Sequence, residues 1–193
     1  MTRFAIALIH HPVLDREGGI VTTAMTNLDL HDMARSARTF GAAGLYIVHP
    51  IEAQRELAGR IVSHWVTGSG RRRIPDRAGA LEIVRIVPAL DDAVRDLGGE
   101  GEVEIWTTAA RARGEVTTWL DAPARFAKTN RTVLVLFGTG WGLAPELIER
   151  AAVRLAPIHG AEIDGYNHLS VRAACAITLD RLASADHAAP RDR

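Results

Sequence analysis

The sequence has little with which to cross-link itself, to enter a bilayer or to hold a polyanion by bulk charge. One cysteine, Cys175, occurs in 193 residues, so no intramolecular disulfide can form, which fits a reducing compartment. Cys175 stands among Ala173, Ala174, Ala176 and Ile177 and reads as a buried small residue rather than a nucleophile. The N-terminal apolar run, Phe4 to Ile9, is far too short to cross a membrane and reads as a buried strand. It lacks a signal-type cleavage region. These features lead to the expectation of a cytoplasmic protein with no membrane partner. Lys plus Arg total 23 and Asp plus Glu total 23, a formal net charge of zero. That balance argues against a broad basic field for nucleic acid. Any such contact must come from a local patch. Arg71-Arg72-Arg73 is the best candidate, although a solvated loop reads equally well there.

What is present suits one ordinary domain. The chain is 47% hydrophobic and 24% charged, and its length allows a real core. No repeat, low-complexity tract or linker interrupts it. The expectation is a single domain over residues 1–185 and a frayed, polar tail over 186–193. Short apolar runs alternate with helical patterns. Strands are expected at Phe4–Ile9, Leu45–Val48, Arg85–Val87, Val103–Thr107, Thr132–Phe137 and Val153–Pro157. Helices are expected at Thr26–Phe40, Glu52–Val66, Arg77–Val84, Leu90–Leu97, Pro145–Ala151 and Leu169–Leu182. Thr67–Arg73 reads as a Gly- and Arg-rich loop, and Val116–Leu120 as a short helix or turn. On the helix Thr26–Phe40 the spacing offers Leu28, Met33, Ala34, Ala37 and Phe40 as buried positions. The alternation implies an α/β fold with a mainly parallel sheet covered by helices on both faces.

Three segments can carry chemistry. The first is the apolar strand Val133–Phe137 running into Gly138-Thr139-Gly140-Trp141-Gly142, then Leu143-Ala144-Pro145-Glu146. Glycines after a parallel strand let backbone approach a ligand, and ligands in such sheets sit beyond the strands' carboxyl ends. Pro145 and Glu146 suit the first turn of the next helix. The spacing is G-x-G-x-G, late in the chain, which disfavours a dinucleotide loop, and the G-K-[ST] of a phosphate loop is absent. A tight turn without a ligand is the plain alternative. The second segment is Ile163 to Ala174, a polar loop entering a helix of small residues, with Asn167 or His168 as N-cap. The third is Thr26 to Gly41, where Arg35 shares a helix face with His31 and Asp32. His10, His11 and Asp15 offer a hydrolase or metal site only weakly, because adjacent histidines do not readily point at one ion, and no metal is expected.

Taken in order, these three segments resemble the SPOUT superfamily of RNA methyltransferases. Arg35-Ser36-Ala37-Arg38-Thr39-Phe40-Gly41 is similar to the family's arginine helix. Phe137 to Glu146 is similar to its glycine loop and Leu-x-Pro-Glu helix start. Asn167-His168-Leu169-Ser170-Val171 is similar to its last motif. The likeness spans about Phe4 to Leu182. It lies nearest the stand-alone domains like the C-terminal part of tRNA (guanine-N1)-methyltransferases.

The resemblance implies a C-terminal trefoil knot, a homodimer that uses the final helix, and S-adenosylmethionine held by three loops. Those loops are Thr107–Arg111, Phe137–Leu143 and Ala156–Ser170. Cofactor contacts would come from Thr107 and Thr108; from Phe137, Gly138, Thr139, Gly140, Trp141, Gly142 and Leu143; and from Ile158, Gly160, Tyr166, Asn167, His168, Leu169 and Val171. The acceptor would be RNA, either tRNA or rRNA. Arg35 would orient it and stabilise charge, since a guanidinium is no ready proton acceptor, while Asn167 and Ser170 would shape the pocket. The chain departs from the family in having Asp29 near the place of the usual asparagine, with Asn27 close by, Thr139 and Trp141 in the glycine loop, and His168 after Asn167. A cofactor-binding domain without catalysis, serving as a sensor or interaction module, is the alternative. A nicotinamide oxidoreductase is a third reading.

Overall fold

The computed structural model describes residues 2–111, 114–161 and 163–184. Its centre is a six-stranded sheet in the order β5-β4-β1-β7-β6-β8. The strands are β1 (Phe4–Ile9), β4 (Leu45–Val48), β5 (Val84–Val87), β6 (Val103–Thr107), β7 (Thr132–Gly138) and β8 (Val153–Arg154), and all pair in parallel. β1 and β7 are buried along nearly their whole length. Parallel strands buried on both faces carry continuous apolar sequence, which is why FAIALI and TVLVLF lie at the middle. The loops therefore leave every strand at one carboxyl edge.

The two faces separate by alternation. Ile6, Leu8, Val133, Val135 and Phe137 point to one side with Leu45, Ile47 and Trp106. Helices α1 (Asn27–Thr39), α4 (Pro75–Leu81), α6 (Ala122–Lys128) and α8 (Val171–Ala183) cover that side through Met33, Ala37, Leu81, Ala122, Cys175 and Leu179. Ala5, Ala7, Ile9, Leu134 and Leu136 point to the other. There α5 (Leu90–Asp96) and α7 (Pro145–Glu149) supply Leu90, Val94 and Leu147. The longer α2 (Glu52–Val66) and the five-residue α3 (Ser69–Arg73) precede α4. A small antiparallel hairpin, β2 (Val13–Leu14) with β3 (Ile20–Val21), stands beyond β1.

Several expectations change. Part of the segment read as a loop, Thr67–Arg73, forms α3 over Ser69–Arg73. Of the two readings of Val116–Leu120 the turn holds, at Trp119 and Leu120, and Thr117 is bridged in parallel to Leu155. The helix in this region is instead α6, with Pro123 in its first turn, where a missing N–H goes unmissed. Leu28 is 62% exposed rather than buried, and Phe40 only packs at the core's margin. The last helix begins at Val171, capped by Ser170 rather than by Asn167 or His168. The tail, 186–193, lies outside the described residues.

β8 is short, but it is held on both sides. Ala152 N–H donates to Ile105 O and Leu155 N–H to Thr107 O, each at 2.9 Å, on the β6 side. On the far side Thr117 N–H donates to Arg154 O at 2.7 Å and Ala156 N–H to Thr117 O at 2.9 Å. Trp119 Nε1–H reaches Pro157 O at 3.1 Å. The chain at 152–157 thus passes between β6 and the very segment that leads away from β6.

Cys175 is fully buried, and burial pushes its thiol up to about 12. A thiol-reactive dye at pH 8 is expected to leave native protein unlabelled and to label it stoichiometrically in denaturant. Rapid native labelling would show that α8 is not seated as described.

Candidate functional site at the carboxyl edge of the sheet

The glycine loop is built against the β2–β3 hairpin. Trp141 N–H donates to Leu14 O at 2.8 Å, Leu14 N–H to Gly142 O at 2.9 Å, and Ala144 N–H to Pro12 O at 3.2 Å. Gly142 N–H closes the turn on Thr139 O at 3.1 Å. Each glycine has its own reason. A Cβ on Gly138 would lie 2.9 Å from Leu143 N. One on Gly140, whose φ is +59°, would lie 2.8 Å from Leu14 O. Gly142 has φ +112° and open space where its Cβ would stand. Two glycines therefore serve the loop's own packing, and the third leaves its backbone accessible.

A chain of hydroxyls fixes Thr139. Its Oγ1–H donates to Ile9 O at 3.0 Å. Having spent that proton, Thr139 accepts from Thr23 Oγ1–H at 2.5 Å. Thr23 Oγ1 in turn accepts from His10 Nδ1–H at 3.0 Å. This proton count assigns the neutral Nδ1–H tautomer to His10. His49 Nδ1 accepts from Ile51 N–H at 3.2 Å, so its Nε2–H donates to Thr23 O at 3.0 Å. Both histidines are buried. Burial, and next the neighbouring His49, hold His10 down to about 4. Burial likewise lowers His49.

The second and third loops leave β6 and β8, the next two strands on one side of β7. Thr108 N–H and Oγ1–H both donate to Leu136 O, at 3.2 and 2.9 Å. Thr107 is buried and its carbonyl takes Leu155. Asn167 closes the third loop: Nδ2–H donates to Ile158 O at 3.0 Å, and Oδ1 accepts from Gly160 N–H at 3.2 Å. Ser170 Oγ accepts from Ala173 N–H at 3.2 Å. Phe137 is in the core, so only its backbone faces the edge. Trp141, Tyr166 and Leu169 are exposed, as is the backbone around Gly160 and His168. Leu143 is buried against the other sheet face, and Val171 packs at the margin of the core.

Arg35 stands apart from these loops. Its side chain is 63% exposed, and its guanidinium lies 3.7 Å from Asp32. Arg172, in the first turn of α8, donates to Asp29 Oδ1 at 2.5 Å and lies 3.5 Å from Asp32 Oδ2. A cation opposes the dipole at a helix N-terminus, so its position there is explained by the two carboxylates of α1. Asp29 is buried and also accepts from Thr26 Oγ1–H at 2.6 Å. Reasoning from the sequence missed Arg172, although its place directly after Ser170-Val171 marks it. It also missed Thr23. Among the described residues no group of three or more His, Cys, Asp or Glu could hold a metal ion.

The histidine pair sets a pH dependence. A base whose folded pKa falls below its unfolded 6.5 keeps the unfolded chain better protonated in acid. His10 stability is therefore complete above pH 6.5 and is lost between pH 6.5 and about 4. Thermal melts are expected to fall over that window. His10→Asn, which keeps a donor toward Thr23 but does not titrate, should flatten the fall. An identical profile in the variant would contradict the assignment.

A family model described as SAM-dependent RNA methyltransferase matches residues 3–184. A protein of Oleidesulfovibrio alaskensis named tRNA (guanine-N(1)-)-methyltransferase is 43% identical over 176 residues, covering 91% of this chain and 41% of that protein. The chain thus spans about two-fifths of the length of the curated relatives of that name that it matches. An uncharacterized protein of Aquifex aeolicus is 39% identical over 183 residues, covering 93% of this chain and 87% of its own. A solved structure of a probable methyltransferase from Bordetella pertussis shares the fold, with a TM-score of 0.62 at 16% identity, over 95% of this chain and 96% of that one. The resemblance drawn from the three motifs and the expected parallel α/β sheet agree with these matches. With 182 of its residues spanned by the model, from 3 to 184, the chain belongs to the S-adenosylmethionine-dependent RNA methyltransferase family.

Proposed function

We propose that this domain moves a methyl group from S-adenosylmethionine to an RNA, and that tRNA is the RNA. The second half of that statement rests on the name carried by relatives of which the chain covers only a part. The observation that carries the site is that three loops leave the carboxyl ends of the neighbouring strands β7, β6 and β8, with open space beside the backbone of Gly142.

These loops fit the cofactor's chemistry. Gly142 and Gly160 leave space where side chains would otherwise stand, the nearest atom to a Cβ on Gly160 being Asn167 Oδ1 at 3.7 Å. Main-chain groups at such positions can hold an adenosine and an amino-acid portion without a charged pocket. The residues assigned to it are Thr107 and Thr108, Phe137 through Leu143, Ile158 and Gly160, Tyr166 through Leu169, and Val171. When bound, S-adenosylmethionine supplies an electrophilic methyl on a sulfonium. The protein's part is positioning and charge. Asn167 holds residues 158–160 in shape, and Ser170 caps α8 so that Val171 follows in place. Arg35 orients the accepting nucleotide and offsets charge there; Asp32, shared with Arg172, sets its direction.

Three further features belong to this reading. The passage of residues 152–157 between β6 and Thr117 supports a trefoil knot. Such threading is rare among folds. Leu28 on α1, exposed and apolar, and the half-buried Ala173, Ala176 and Ile177 on α8 support a homodimer across these two helices. A second copy would then bring Arg35 to a site it does not reach alone. The domain is taken to run over 1–185 and to act in the cytoplasm. Among the described residues no helix is long and apolar enough to cross a membrane.

Labelled methyl transfer to tRNA and rRNA from a strain lacking the protein tests the activity. Transfer to neither, with the cofactor bound tightly, would leave only a binding module. Gly140→Val places a branched side chain against Leu14 O at positive φ. Titration should show S-adenosylmethionine affinity at least about tenfold weaker; unchanged affinity would remove the glycine loop from the site. Arg35→Lys keeps the charge but loses the planar fork. It should lower kcat by about 10- to 100-fold with cofactor affinity intact, and equal turnover would dismiss the orienting role.

A further inference from the structure

Four arginines, Arg71, Arg72, Arg73 and Arg77, cluster within α3 and α4. Arg72 and Arg73 end α3, exposed, and form no ion pair among the described residues. Arg71 beside them is committed to Glu82 at 3.1 Å and to Val66 O. Arg77 on α4 sits over the Trp65 ring, its guanidinium carbon 4.6 Å from the centroid. His31 and His64 meet the same ring edge-on, at 5.5 and 5.3 Å.

His31 links this cluster to the site. It lies on α1 one turn before Arg35, and the positive charges of both Arg77 and Arg35 act on it, with Asp32 opposing. Its Nδ1 is buried without a hydrogen-bond partner. Arg72, Arg73, Arg77 and Arg35 thus stand on α3, α4 and α1, with α4 packed against both of the others, and along this face basic groups outnumber the carboxylates Asp32, Asp76 and Glu82. Gathering like charges costs free energy unless an anion neutralises them. The chain as a whole is neutral, with 23 basic and 23 acidic residues, so this surplus does not follow from composition. An aromatic plane stacked with a guanidinium on such a face also suits an exposed base.

We propose that Arg72, Arg73 and Arg77, with Trp65, form the surface that holds the phosphate backbone of the RNA acceptor and leads it to Arg35. This rests on the methyltransferase reading above. The arginines on α3 contact phosphates rather than base edges, so they contribute affinity without choosing sequence. The part of Trp65 left free at the margin of the core, with Arg77, offers a stacking position there.

Fluorescence anisotropy with purified bulk tRNA tests it, using the whole chain loaded with S-adenosylmethionine across a salt series. Arg72→Ala with Arg73→Ala should weaken binding about tenfold at moderate salt and flatten the log–log salt slope by about 2. Cofactor affinity and melting temperature should stay unchanged. Arg72→Lys with Arg73→Lys should restore most of the slope. Arg95→Ala, on the opposite sheet face beside Asp92, should do nothing. An unaltered affinity and slope in the double alanine variant, with wild type binding tRNA, would overturn the patch and leave the methyltransferase reading standing. Wild type that binds no RNA at all would overturn both.

Discussion

The parallel pairing of β1 with β7 is the constraint from which the site follows. It joins the first strand of the chain to one that begins at Thr132, and its register sets Ile9 opposite Gly138. One residue further along, β1 delivers His10 and β7 delivers Thr139. Thr139 then returns a hydrogen bond to Ile9 O, so the strand pairing continues as a side-chain contact past the end of the ladder. A slip by one residue would turn Ile6 and Leu8 to the wrong face and pull His10 away from Thr23. The packing of both cores and the position of the glycine loop are thus one specification.

The elements were legible where periodicity was long. The runs 4–9 and 45–48 match their strands, and Glu52–Val66 its helix, because apolar spacing over several residues has a single structural meaning. The β2–β3 hairpin was not legible, since two-residue strands have no period. Leu28 looked buried because it is apolar on a helix with a clear apolar stripe, but at 100° per residue it falls on the face opposite Leu30, Met33, Ala34 and Ala37. The glycine loop was visible as a loop, and its neighbours in sequence order gave it a meaning. Thr23 was invisible for a different reason. Its partners His10 and Thr139 are 13 and 116 residues away, and a single threonine in a polar stretch says nothing about either.

Charge distribution carries information that total charge conceals. A neutral chain has placed Arg172 where the helix dipole disfavours it and matched it to a buried carboxylate, Asp29. Removing either partner would leave a charge in a place where water cannot easily compensate it. The same economy makes Asp32 serve two arginines, one on its own helix and one on α8. The first and the last helix of the domain are therefore tied electrostatically as well as by Met33, Ala37, Cys175 and Leu179.

The slot occupied by residues 152–157 has walls made wholly of earlier chain: β6 on one side, Thr117 and Trp119 on the other. During synthesis both walls leave the ribosome before the segment that fills them. Asn167, Ser170 and all of α8 come later in the chain again than the residues that fill the slot. Such non-local closure is slow. A nascent chain would hold the glycine loop and Arg35 well before the loop that Asn167 closes. Seating residues 152–157 between their two walls is then a late step in the folding of the domain.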